Sequence, residues 1–289
     1  MRKLLVVLIL TVGIAGLFAE GWSKSADVSL NMNQSSYSDN WSGEENGNIN
    51  WVFNANLLAE KQVTEKLHNK NTLKLAYGQT YSQFVNEAGE REWGDPAKTT
   101  DLIDAESMAR FTLGAFVDPF AAFRLESQFM DESVVDKEKM FNPVTLTESF
   151  GIARVFIKED NKEFSARFGG AFKQFINSHA EEMMNDGGVE FVADYRTPLA
   201  KDRITYLSNL NIYKAMYYSE SEVEGMTDDW KAPRVDWQNT FTASITKYLN
   251  VNLFIQLLYD KTDLDALGES IDEMQIKETL SLGLTYKLM

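Results

Sequence analysis

Cysteine is absent from the 289 residues, histidine occurs twice, and beyond the first twenty positions no apolar run approaches the twenty or so residues a membrane helix needs. Each absence excludes something. Without cysteine there is neither a lipoprotein anchor nor a disulfide framework, so the chain must be held by sheet hydrogen bonding and packing. With only His68 and His179, histidine-based catalysis has little to draw on. Without a long apolar run, any membrane span must be built from strands. A mean hydropathy of -0.30 does not argue against this, because a barrel spreads its lipid face over every second residue.

Basic residues are also scarce, 28 against 43 acidic, and the formal charge of -15 makes nucleic acid an unsuitable partner. Two of those bases open the chain. Met1-Arg2-Lys3, an apolar run from Leu4 to Leu17, and Phe18-Ala19-Glu20 have the form of a secretory signal peptide, expected to be cleaved after Ala19 with Ala15 as the fallback. Loss of Arg2 and Lys3 takes the charge from -15 to -17. That leaves 20–289 as a single exported domain.

What the chain does have is alternation. From Glu278 to Met289, Leu280, Leu282, Leu284, Tyr286 and Leu288 fall on one face, and Thr279, Ser281, Gly283, Thr285 and Lys287 on the other. A period of two is a strand with one apolar face. Its Gly283, Tyr286 and Leu288 fit the C-terminal signal by which outer-membrane barrels are inserted, without the usual terminal Phe. About twelve such segments follow one another, ten and fourteen being the neighbouring even counts: 26–34, 48–59, 72–81, 103–115, 121–129, 147–157, 164–173, 189–196, 204–218, 234–246, 251–259 and 278–289. In the second, Ile49, Trp51, Phe53, Ala55 and Leu57 oppose Asn48, Asn50, Asn54 and Asn56. A row of asparagine, a poor strand former, is expected to face water inside a barrel. The sixth mixes Glu148 and Arg154 with Phe150, Ile152 and Phe156, a pattern that fits a bulge or a shifted register.

Connections after even segments are expected to be short, with a tight turn at Asp118-Pro119 and one longer case, 60–71. Those after odd segments run long, as in 84–101, 130–146, 176–188, 219–233 and 261–272. Short periplasmic turns alternating with long external loops are the layout of an all-β, antiparallel up-and-down transmembrane barrel with both mature termini periplasmic. A secreted β-sandwich also alternates along its strands, but has no reason to alternate its loops. Trp51, Trp237, Tyr195, Tyr206, Tyr218, Tyr259 and Tyr286 fall mostly near strand ends, where aromatic girdles sit.

Gly21-Trp22, Ser29-Leu30-Asn31, Gln34-Ser35-Ser36-Tyr37, Asn40-Trp41-Ser42-Gly43-Glu44-Glu45-Asn46 and Leu73-Lys74-Leu75-Ala76-Tyr77-Gly78 together resemble an outer-membrane barrel family of unknown function from the Bacteroidetes and related Gram-negative bacteria. This chain has Glu44 where the family usually has a second glycine. The resemblance covers about the first hundred residues and implies a barrel and a location, not an activity.

The side chains expected to line the lumen are Glu106, Arg110, Arg124, Glu126, Arg167, Lys173, Glu190, Asp194, Arg196, Arg234, Asp236 and Lys277. If they pair with one another the barrel is narrow or plugged; if not, it is a polar pore. His68 is expected in a periplasmic turn, and His179 in a solvated outer loop beside Ser178. Acidic loops containing Glu220, Glu222, Glu224, Asp228 and Asp229, and Asp263, Asp265, Glu269, Asp272 and Glu273, fit no calcium-loop spacing and are expected as a repulsive surface. No cofactor is implied and no catalytic residue is assigned. The function expected first is a small pore for small polar solutes; second, a non-conducting structural or assembly barrel; third, a surface hydrolase resting on His179. The partners implied are outer-membrane lipid, lipopolysaccharide and the barrel assembly machinery.

Overall fold

The computed structural model describes residues 21–38, 46–134, 138–222, 227–262 and 270–287. The expected signal peptide, Asn40 to Glu45, the acidic residues Glu224, Asp263, Asp265 and Glu269, and Leu288 lie outside them. Within them the alternation becomes twelve antiparallel strands: β1 (Ser23–Ser35), β2 (Asn48–Thr64), β3 (Leu67–Val85), β4 (Ala97–Phe111), β5 (Asp118–Ser127), β6 (Val144–Lys158), β7 (Glu163–Asn177), β8 (Glu182–Leu199), β9 (Ile204–Tyr218), β10 (Pro233–Ser244), β11 (Leu249–Tyr259) and β12 (Gln275–Lys287). Each pairs with the next, and β1 closes on β12 with Val28 opposite Tyr286 and Met32 opposite Leu282. The sheet is therefore a closed up-and-down barrel that leaves none of the twelve as a free edge.

Strand period decides which side chains meet. One cross-strand row runs Asp27, Asn56, Lys74, Asp104, Glu126, and it faces inward. Three positions along, another runs Leu249, Leu284, Leu30, Phe53, Tyr77, and it faces outward. The distribution is the reverse of a water-soluble barrel's. Phe150 (69 %), Ile276 (70 %) and Leu280 (62 %) are exposed, whereas Asp104, Glu190, Thr147 and Ser149 are buried. Such a surface suits an apolar solvent.

Several expectations are corrected. The connection after β2 is not long, because β2 and β3 continue to a turn at Glu65 and Lys66; His68 sits on β3 opposite Gln62, not in the turn. The expected loop 176–188 is a hairpin turn, 178–181, since Glu182 to Gly188 pair residue by residue with β7. Asp118 and Pro119 begin β5, and the turn is 112–117. The remaining short connections are 159–162, 200–203 and 245–248, and the long ones 36–47, 86–96, 128–143, 219–232 and 260–274. The barrel thus has a turn end, which carries the start of β1 and the end of β12, and a loop end.

The mixed face of β6 has a specific cause. Ser165 pairs with Val155 but Phe164 with Ile157, so Phe156 is an extra residue, a β-bulge. Beyond it the parity flips, and Lys158 turns inward to meet Glu60 of β2 at 3.2 Å. Arg154, on the outward face, donates to the Phe116 carbonyl at 2.6 Å, with its guanidinium 3.8 Å from the Phe116 ring centre and 5.4 Å from that of Phe156. It buries its stem and keeps its charge at the rim. From Phe156 an unbroken aromatic chain follows the turn end: Phe156–Phe164 (4.9 Å), Phe164–Tyr195 (5.9 Å), Tyr195–Tyr206 (6.1 Å) and Tyr206–Phe241 (4.7 Å).

Candidate functional site

The lumen has two unlike walls. On β3 to β8 the charges are tied together. Arg124 of β5 grips Asp104 of β4 with both Nε (2.8 Å) and Nη2 (3.0 Å), and Nη2 also reaches Glu126 at 3.0 Å. Lys74 stands 3.8 Å from the same aspartate. Arg167 of β7 donates to Glu106 of β4 at 2.6 Å, passing over β5 and β6, and its Nε lies 3.4 Å from Glu190 of β8. The Arg167 guanidinium thus bonds Glu106 and sets its charge beside Glu190 without a hydrogen bond to it.

Beside this bridge, glycines let β6 and β7 approach closely. Gly151 and Gly169 are opposite each other on β6 and β7, where a Cβ on either would fall about 2.1–2.2 Å from the facing carbonyl oxygen. Phe120, on the neighbouring strand opposite Gly151, is buried, and the Arg167 guanidinium sits 5.6 Å from its ring centre.

The remaining expected lumen residues divide by partner. Lys173 Nζ lies 3.4 Å above the Tyr213 ring, and the Tyr213 hydroxyl donates to Asp186. Asp194 accepts from the Asn209 amide at 2.6 Å, and Asp236 from Gln238 (2.9 Å) and Gln256 (2.8 Å). Arg234 pairs with Asp260 at 3.0 Å, and Arg110 meets Asp118 at 3.8 Å. Arg196 and Lys277 are exposed and form no ion pair among the described residues.

The other wall, β10 to β2, carries fewer charges, Arg234, Asp236, Lys277, Asp27 and Glu60, among a network of amides and hydroxyls. Thr242 donates to Asn252 at 2.9 Å, Asn252 to Asn31 at 2.9 Å, and Asn50 to Thr80 at 3.0 Å. Gly283 of β12 lies between Asn252 of β11 and Asn31 of β1, and a Cβ there would come within 2.4 Å of Asn31 Oδ1 and 2.7 Å of Asn252 Nδ2. The glycine of the C-terminal motif is what lets an amide bridge cross the closing strand. The asparagine row of β2 belongs to this wall.

At the turn end a cavity of about 420 Å³ spans the lumen between β2–β4 and β6–β8, with Glu60, His68, Lys70, Arg110, Lys158 and Arg167 among its lining. Lys158 joins Glu60 to Glu163, at 3.2 and 3.3 Å.

At the loop end, His179 is not solvated. Its side chain is 5 % exposed and its Nε2 lies 3.5 Å from Asp131, itself buried in the loop after β5. Asn142, fully buried, donates to Asp131 (2.5 Å) and Asn177 (3.1 Å) and accepts from the Ser178 amide and hydroxyl, both at 2.7 Å. These side chains clasp the long loop 128–143 to the β7–β8 hairpin. Burial opposes the Asp131 charge, but hydrogen bonds from the Ser133 hydroxyl and amide and from Asn142, with the nearby His179, hold its carboxyl below the ordinary range. The Ser178 hydroxyl is committed to Asn142, so no nucleophile–base contact forms with His179.

Sequence reasoning missed a second anchor. Gln83, buried near the end of β3, accepts from the amides of Gly47 (3.0 Å) and Tyr37 (3.3 Å) and donates to the Tyr37 carbonyl, holding both ends of the first loop. The acidic loops are bridged: Lys261 lies 3.4 Å from both Asp229 and Asp272, and Lys231 2.6 Å from Asp228. The Thr227 hydroxyl first, then Lys261, keeps the Asp229 carboxyl below its usual range, and Asp272 first, then Asp229, raises Lys261. Among the described residues no group of three acidic or histidine side chains converges as a metal would require.

Residues 32–132 match the family model described as "Protein of unknown function (DUF3078)", in the part of the chain where the amino-terminal motifs carry the resemblance. Three solved structures are similar in fold class. An outer membrane channel from Pseudomonas putida F1 is 12 % identical, with 91 % of this chain and 94 % of that one covered and a TM-score of 0.43. The translocator domain of the autotransporter NalP from Neisseria meningitidis is 11 % identical, with 99 % and 95 % covered and a TM-score of 0.36. The CymD monoaromatic hydrocarbon channel is 8 % identical, with 95 % and 90 % covered and a TM-score of 0.35. None of the curated proteins matches the sequence.

Proposed function

We propose that this chain is an outer-membrane barrel, its turn end in the periplasm, that passes small polar solutes along the amide- and hydroxyl-lined side of its lumen. The observation that carries the reading is the segregation of the two walls. Paired charges on β3 to β8 are held against each other, while the Asn31–Asn252–Thr242 side offers neutral donors and acceptors that replace hydration without trapping a charge. The exposed apolar exterior and the aromatic chain at the turn end support the membrane setting. The amino-terminal basic and apolar run, of signal-peptide form, supports export.

A second reading, a non-conducting structural barrel with lipopolysaccharide-facing loops, draws on the Arg167–Glu106 bridge, which narrows the lumen. Conductance in a planar bilayer separates the two. Steps in the wild-type barrel, enlarged in the paired variant Arg167→Ala/Glu106→Ala, are expected of a pore. Silence in both the wild type and the paired variant would leave the structural reading.

A further inference from the structure

In the turn-end cavity the acids are engaged, along with Lys158 and Arg167, whereas Arg110, Lys70 and one nitrogen of His68 are not. Glu60 is held by Lys158 at 3.2 Å and faces His68 at 3.8 Å; Glu163 meets the same lysine at 3.3 Å, Glu106 is held by Arg167 at 2.6 Å, and Asp194 by the Asn209 amide at 2.6 Å. Among the described residues Arg110 has only Asp118, at 3.8 Å, beyond hydrogen-bonding distance, and its Nε is buried with no hydrogen-bond partner. His68 Nδ1 is buried and equally unpartnered. Lys70, on the same face of β3 two residues from His68, makes no ion pair or hydrogen bond among the described residues.

These three are neighbours by register. His68 is directly opposite Arg110, and Lys70 opposite Met108, so the three lie within one cross-strand and one diagonal step of each other. A guanidinium and an ammonium gathered with an imidazole on one wall of a partly closed cavity, with unused hydrogen-bonding capacity, are incomplete without an anion. A guanidinium offers a fork to two oxygens and an ammonium a point charge beside it, the combination that suits carboxylate and phosphate groups.

We infer that the turn-end cavity is an oxyanion subsite in which Arg110, Lys70 and His68 hold the carboxylate or phosphate group of a small solute. The inference rests on the transport reading for its place on a solute path, but the binding itself does not require passage. A volume of about 420 Å³ is room for a small metabolite-sized anion with several waters, since a water occupies about 30 Å³ in the liquid.

The test is titration of the full-length barrel in detergent micelles with succinate and, separately, inorganic phosphate. Saturable binding of at least one is expected, weakened at least tenfold in Arg110→Gln and in Lys70→Gln, and unchanged in Lys231→Gln at the loop end. Succinate alone would assign carboxylate solutes, and phosphate alone phosphorylated ones. Absence of saturable binding to either anion by the wild-type barrel overturns the inference, as does binding indifferent to both substitutions. Should Arg110→Gln fail to give a folded barrel, Lys70→Gln decides by itself. Wild-type conductance in potassium chloride is measured in parallel: a silent barrel that binds loses only the transport reading, and a conducting barrel that binds neither anion loses only the subsite.

Discussion

Gly283 is the residue at which sequence motif and physical need coincide. Alternation places it on the inward face, and there the Asn252 amide crosses it to reach Asn31 at 2.9 Å, joining β11 to β1 over the closing strand. A methyl group would meet the ends of both side chains, which can rotate away only by giving up the bond. Gly283→Ala should therefore cost about 1 kcal/mol, the worth of a net side-chain hydrogen bond. Combined with Asn252→Ala it should cost less than the sum of the two, because both lose the same bond to Asn31 while only Asn252→Ala also loses the bond from Thr242. Urea unfolding of the four members of the cycle in lipid vesicles checks this, and fully additive losses would mean that the bridge is not what the glycine serves. His179 is the contrasting case. Its sequence neighbours show nothing of its burial, because Asp131 is distant along the chain and is brought to it only when β5, β6 and β7 pair.

At the scale of the element, the twelve strands were legible because each has one apolar face, and period two follows from that alone. Their ends were not. Glu182 to Gly188 and Leu67 to Asn71 are polar enough to read as loop, yet both continue a ladder. Main-chain pairing beyond an apolar zone needs no alternation, so composition stops marking the strand before the hydrogen bonds do. For the same reason the loop clasp was invisible. It makes a prediction of its own: His179→Ala or Asp131→Asn should release the loop 128–143 and speed its cleavage by added protease at the cell surface, leaving the barrel's heat-modifiable migration unchanged. Since the Asp131 carboxyl is held below the ordinary carboxylate range, its contribution is complete above that range and is lost only as pH falls through the depressed value. Protection should thus persist through mildly acidic pH and fail in strong acid; failure near neutrality would point away from Asp131.

For the whole molecule the decisive property is which solvent each face was built for. Leu282 and Ser281 are adjacent on β12, paired to Val251 and Asn252 of β11, and differ only in the side of the sheet they occupy. Leu282, half-exposed, is surrounded on the outward face by Leu280, Leu284 and Met32, whereas Ser281 faces the lumen. If that outward face lies in lipid, Leu282→Arg places a charge in hydrocarbon and should destabilise the folded barrel by about 2–4 kcal/mol when it lies near the midplane. Ser281→Arg adds its charge to a wet interior and should cost less than about 1 kcal/mol. In a water-soluble barrel the order would reverse, because an outward arginine would be solvated and an inward one crowded. Folding into vesicles followed by urea titration measures both, with heat-modifiable migration as the check that each variant has closed. Equal losses at the two positions, or the reverse order, would remove the membrane reading together with the transport function built on it.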